Sequence, residues 1–174
     1  MDRLWAPWRG SYVTGEAKPV GCVFCAAAAA AEAAGADLPI SGPGELVLAR
    51  GEHVFAILNR YPYNNGHLMV VPYEHASRLS QVCAAARAEM MEQAAEWTEV
   101  MAALMNADGF NVGYNLGAAA GAGLADHLHL HIVPRWQGDT NLMPVVGGVK
   151  VMPEALETSC ARLRAAWRER QTRQ

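Results

Sequence analysis

His127-Leu128-His129-Leu130-His131-Ile132-Val133-Pro134 alternates imidazole and apolar side chains with a period of two. Successive side chains of a β-strand point to opposite faces. The stretch therefore predicts a strand over 128–133, ended by Pro134. Leu128, Leu130 and Ile132 would pack on a core, and the three imidazoles would share the other face. That face must meet water, a metal or a substrate, because adjacent imidazoles repel when protonated and need partners when buried. A three-histidine metal site is one reading, though known sites of that kind seldom take three ligands in a row along a strand.

Working outward, a loop with glycines at 117, 121 and 123 precedes the histidines, and a strand over 110–115 precedes the loop. Met90, Ala94, Trp97, Met101 and Leu104 recur at helical spacing and predict a long helix over about 84–107, stopped by Gly109. Further upstream, apolar runs over 45–49, 53–59 and 68–71 read as strands, the last two joined by a turn tightened at Asn65-Gly66. Pro153 opens a C-terminal helix with Leu156, Cys160, Leu163 and Trp167 on one side. A short Ala-rich helix runs to about Ala34, ended by Gly35. Three strands, a long helix and two more strands predict an α+β domain with a five-stranded antiparallel sheet. The chain divides into an arm over 1–44, a core over 45–136 and an extension over 137–174.

The chain has 174 residues, 52% hydrophobic and 18% charged. That suffices for one core without disulfides. No apolar run is long enough to span a bilayer, and the Ala-rich run is broken by Glu32. Met1–Gly10 carries charge and tryptophan where a signal peptide would be apolar, so a cytoplasmic location is expected. A net charge of −3 disfavours binding of a nucleic-acid polymer but leaves a small anionic substrate open. Cys22, Cys25, Cys83 and Cys160 are not expected to form a disulfide framework in a reducing compartment. Cys83 and Cys160 read as small apolar core residues.

The pattern His127-φ-His129-φ-His131-φ-φ, with φ apolar, resembles the signature of the histidine triad (HIT) family of nucleotidyl hydrolases and transferases. Asn59-Arg60-Tyr61-Pro62 and Gly66–Pro72 are similar to that family's ribose-binding strand and turn. Asn115-Leu116-Gly117 with Ala120-Gly121 is similar to its phosphate loop. The ends, Leu4–Arg9 and Gly138–Pro144, resemble the bacterial branch that includes diadenosine tetraphosphate phosphorylases. The resemblance implies a HIT-like fold, ribose binding by Asn59 and a dimer paired through the long helix and a sheet edge. One departure stands out. Gly121-Ala122-Gly123-Leu124-Ala125-Asp126 lacks the Gln that many members carry there, and is one residue longer.

The residues support the same chemistry on their own terms. A neutral imidazole is a good nucleophile toward phosphorus near pH 7. The family assigns that role to the middle histidine, here His129, so that a covalent nucleotidyl-histidine splits one displacement into two. His131 can donate to a phosphoryl or leaving-group oxygen, and His127 can fix geometry. Glycines 117, 121 and 123 let backbone N–H groups of Gly121, Ala122 and Gly123 approach a phosphate, and Asn115 adds an amide. Cys22-x-x-Cys25 has zinc-ligand spacing, but one such pair is half a site. The resemblance completes it with His75 and His127, implying a structural Cys₂His₂ zinc.

The expected function is phosphorolysis of diadenosine tetraphosphate to ADP and ATP, with inorganic phosphate as co-substrate. The alternatives are a hydrolase of dinucleoside polyphosphates or phosphoramidates, and a nucleotide-binding sensor.

Overall fold

The computed structural model of the protein describes residues 21–35, 37–139, 146 and 151–173. Five strands, β1 (Val47–Arg50), β2 (Val54–Leu58), β3 (Leu68–Pro72), β4 (Gly109–Tyr114) and β5 (Leu130–Arg135), form one antiparallel sheet in the order β1-β2-β3-β5-β4. Among the described residues, three helices pack around it: α1 (Val23–Ala33), the long α2 (Ala84–Met105) and the C-terminal α3 (Leu156–Arg173). The expected α+β architecture is the one observed.

β2 and β3 are buried at every position, as their unbroken apolar runs require of central strands. The turn between them is a hydrogen-bonded reversal in which His67 N–H donates to the Asn64 carbonyl. Gly66 takes a positive φ there, and a Cβ on it would lie 2.8 Å from the Met105 sulfur. α2 lies against β2, β3, β4 and β5 through Met90, Ala94, Trp97 and Met101, all buried. α3 seats Cys160 and Leu163 in the core, and its Trp167 stacks on Trp97 at 4.2 Å. Arg164 fastens α3 to the first strand by donating to the Val47, Glu45 and Pro39 carbonyls. α1 presents Phe24, Ala27 and Ala31 as its buried stripe.

Several boundaries differ from the sequence reading, each for a local reason. β1 begins at Val47, two residues later than expected, because 43–46 form turns. α2 ends at Met105, where Asn106 adopts a left-handed conformation (φ 50°), while Gly109 opens β4 instead of stopping the helix. α3 begins at Leu156, with Pro153 in the bend ahead of it. Pro134 does not end β5. Its carbonyl accepts from Asn64 Nδ2 on the side where β3 has already stopped, so its missing N–H forfeits no ladder bond. Cys83 is exposed and caps α2, accepting from Ala86 N–H, so it is not a core residue.

The histidine stretch also departs from its expected strand. The ladder takes in Leu130 onward, and His127, Leu128 and His129 precede it. β3 ends at Pro72, and beyond that point Leu128 N–H donates to the Ala76 carbonyl. The motifs at Leu4–Arg9, and most of those at Gly138–Pro144, lie outside the described residues.

Candidate active site and metal cluster

The three histidines are buried, at 2%, 7% and 7% exposure for His127, His129 and His131. The expected open face is closed over by other rings. Phe24 of α1 packs on His127 and His129, and Tyr63 stacks on His131 with centroids 5.6 Å apart. Burial pushes all three imidazoles below their ordinary pKa, so each is neutral at pH 7.

Hydrogen bonds fix which nitrogen carries the proton in each ring. His129 Nδ1 lies 2.7 Å from the His127 carbonyl, which can only accept, so Nδ1 is protonated. Its Nε2 then carries a lone pair, and that nitrogen has no partner among the described residues. His127 Nε2 lies 2.9 Å from the Pro72 carbonyl and is likewise the protonated one, leaving its Nδ1 bare.

His131 is set from further away. Tyr63 N–H donates to His67 Nδ1 at 3.0 Å, so His67 carries its proton on Nε2. That N–H donates to His131 Nδ1 at 2.9 Å, so His131 carries its own proton on Nε2. His131 Nε2 lies 3.3 Å from Asn115 Nδ2, and since both would then be donors, this tautomer requires the Asn115 amide to be turned so that its oxygen accepts. His67 is fully buried, and burial, with the neighbouring His131 and His129, pushes its pKa down to about 3. Burial and His129 hold His131 near 4.

His67 is the functional candidate that the sequence reading left without a role. It lies one residue before β3, and Leu68 pairs with Ile132. The signal exists only once the β3–β5 register is known.

The remaining candidates fall into two groups. Asn59 accepts from Tyr61 N–H through Oδ1, the turn-capping role open to any Asn there, and its amide lies 3.3 Å from His67 Nδ1. Phe55, Ile57 and Leu58 of β2, the strand that leads to Asn59, are buried. In the loop, Gly117 and Gly121 take positive φ around a tight turn. The amides of Gly121 and Ala122 donate to the Ala118 and Gly117 carbonyls in this conformation, and the Gly123 amide has no partner among the described residues. A groove of about 370 Å³ is lined by Tyr63, Tyr114, Asn115, His131 and Arg135 among others. His131 opens on it. His129 sits behind, with ring centroids 4.7 Å apart.

Cys22, Cys25, His75 and His127 converge so that one ligand atom from each lies within 4.8 Å of the others. Cys22 Sγ is 3.2 Å and Cys25 Sγ 3.7 Å from His127 Nδ1, and Cys25 Sγ is 3.3 Å from His75 Nδ1. A tetrahedral zinc with ordinary Zn–S and Zn–N bonds has edges of about 3.3–3.8 Å. The donor set fits, and His127 turns its bare nitrogen inward while its N–H is held by a carbonyl, the usual outer support of a ligating histidine.

A HIT domain model matches residues 44–138. The chain belongs to the HIT domain family. As a HIT protein it is a nucleotide-processing enzyme. It is 42% identical to an AP-4-A phosphorylase of Mycobacterium tuberculosis over 96% of this chain and 85% of that protein. It is 26% identical to an adenosine 5′-monophosphoramidase of Schizosaccharomyces pombe over 67% of this chain and 75% of the relative. Among solved structures it resembles a zinc-bound histidine triad family protein from Mycobacterium smegmatis, with a TM-score of 0.65 and 26% identity over 88% of this chain and 98% of that one.

Proposed function

We propose that this HIT enzyme is a nucleotidyl transferase that cleaves diadenosine tetraphosphate by phosphorolysis. The observation that carries the reading is the tautomer of His129: Nδ1–H is held by a backbone carbonyl and Nε2 is left with a free lone pair. The 42% identity to an AP-4-A phosphorylase supports the substrate and the acceptor.

In the first step His129 Nε2 attacks an α-phosphorus. A P–N bond forms, the P–O bond to the polyphosphate breaks, and ATP leaves. His131 Nε2–H donates to a phosphoryl or leaving-group oxygen, which offsets the developing charge. In the second step an oxygen of inorganic phosphate attacks the same phosphorus, the P–N bond breaks, and ADP leaves. Asn115 and the Gly123 amide are read as holding the phosphates, joined by the Gly121 and Ala122 amides once their turn bonds are exchanged, and Asn59 as holding ribose hydroxyls once its own turn bond is exchanged. Cys22, Cys25, His75 and His127 are read as holding a structural zinc. Bound there, the ion would tie α1 to the segment after β3, and through His127 it would steady the carbonyl that orients His129.

Water can attack the same intermediate, so hydrolysis is the second reading, favoured by the similarity to a monophosphoramidase. The enzyme is assayed with diadenosine tetraphosphate and labelled inorganic phosphate. Phosphorolysis puts the label into ADP and requires phosphate. Full activity in phosphate-free buffer, with no label in ADP, would make the protein a hydrolase.

The whole chain is read as one domain. A homodimer is read from the exposed edge strand β4, where Val112 is 43% exposed, and from Met91 on the outer face of α2, at 54%. No helix among the described residues is long and apolar enough to cross a membrane. A cytoplasmic location fits that and rests on the sequence reading.

A further inference from the structure

Across the phosphate loop from the His131 groove lies a second cleft, of about 350 Å³, walled by Ser77, Arg78, Leu79, Leu116, Gly117 and Asp126 among others. Its volume lies within the range of roughly 300–1,000 Å³ typical of small-molecule sites. Both walls are tied to the reacting centre. The 77–79 wall follows Ala76, whose carbonyl accepts Leu128 N–H at 2.6 Å, inside the histidine stretch. The 116–117 wall begins one residue after Asn115, whose amide lies 3.3 Å from His131 Nε2. The two clefts thus flank a single short segment of backbone.

The chemistry of the second cleft suits an anion carrying an apolar body. Among the described residues, no carboxylate lies within 4.0 Å of the Arg78 guanidinium, and its side-chain N–H groups have no acceptor. Arg135, on the other groove, is by contrast tied to Asp139 and Asn111. Leu79 is half-buried, and Leu116, at 50% exposure, offers an apolar surface with no core to cover it. Asp126 is exposed and can accept from ribose hydroxyls or an exocyclic amine. Inorganic phosphate would use the arginine and leave both leucines idle. A nucleotide would use all of them.

We propose that this cleft holds the leaving nucleotide of a dinucleoside polyphosphate. Arg78 grips the polyphosphate beyond the bond that breaks, and the second nucleoside lies against Leu79 and Leu116. The reading rests on the nucleotidyl-histidine chemistry above and assigns the half of the substrate that His129 does not retain. The cleft thereby makes a dinucleotide a better substrate than a small adenylyl donor.

The test compares diadenosine tetraphosphate with adenosine 5′-phosphoramidate, which has no second nucleotide, in wild-type, Arg78→Ala and Arg78→Lys proteins. Arg78→Ala should lower kcat/KM for the dinucleotide about ten- to hundredfold, the range for a lost charge-assisted hydrogen bond. The phosphoramidate should stay within about twofold, and Arg78→Lys should recover part of the loss. Equal losses on both substrates, or none on either, would overturn the assignment. A raised KM for inorganic phosphate, the same with both substrates, would overturn it in favour of an acceptor-phosphate site. If the wild-type protein forms no adenylylated His129 with either substrate, the nucleotidyl-histidine reading fails first and this one falls with it.

Discussion

Lowering the pH from 7 to 5 should remove about 4 kcal/mol of folding stability through His67 and His131, half of it through His67. Burial holds His67 near pKa 3 and His131 near 4 in the folded chain, against about 6.5 in an unfolded one. Above pH 6.5 both states keep these rings neutral and no free energy depends on pH. Below it the unfolded chain binds protons that the folded chain refuses, so stability falls as pH falls. Each ring contributes about 1.4 kcal/mol per pH unit, or roughly 2 kcal/mol over the 1.5 units from 6.5 to 5. Two rings give about 4 kcal/mol, a large part of the 5–15 kcal/mol that holds a typical domain together. The decline levels off near pH 4 for His131 and near pH 3 for His67. His67→Gln keeps an amide donor toward His131 but has no ionisable proton. Urea unfolding at pH 7, 6 and 5 measures both proteins. The variant, whatever its stability at pH 7, should lose about 2 kcal/mol less than the wild type on the way to pH 5. A wild type as stable at pH 5 as at pH 7, or a variant with the same slope, would refute the buried neutral relay.

Three further outcomes check the site. His129→Ala should abolish turnover while leaving nucleotide binding largely intact, since it removes only the nucleophile; retention of a tenth of wild-type activity in a steady-state assay would exclude the covalent path. Cys22→Ser should release about one equivalent of zinc from the purified protein and lower its Tm, because structural zinc contributes directly to folding; the readouts are metal analysis and thermal unfolding. Asn59→Ala should raise KM more for ribose than for deoxyribose substrates, and equal losses on both sugars would remove Asn59 from the ribose site.

Much of this arrangement was legible in the residues because it is periodic. The alternation from His127 to Ile132 and the stripe from Met90 to Met101 each state their own secondary structure, and the intervening turn signals order them. What escaped was whatever depends on a partner. His127 and His129 lie outside the ladder because β4 ends at Tyr114, opposite Leu130, and Leu128 N–H turns to the Ala76 carbonyl, which a single strand cannot announce. Pro134 stays in β5 because its neighbour on that side has already ended. His67 looked like one polar residue beside a turn, and its role depends on a cross-strand register that brings it within 2.9 Å of His131. The burial of the three imidazoles was hidden for the same reason. Phe24 and Tyr63, which cover them, come from segments roughly 100 and 70 residues away in the chain.

The hydrogen bond from His129 Nδ1 to the His127 carbonyl has a consequence for how the enzyme can vary. In a serine-protease triad the group that orients the imidazole is a carboxylate, and one substitution abolishes it. Here the orienting group belongs to the polypeptide itself, so every residue placed at position 127 brings the same acceptor. Side chains around the nucleophile are therefore free to drift without disturbing its protonation. Alanine scanning is blind to the contact, and only a shift of the main chain can break it. The chemical form of the nucleophile is inherited with the backbone path, and substrate preference can change around it.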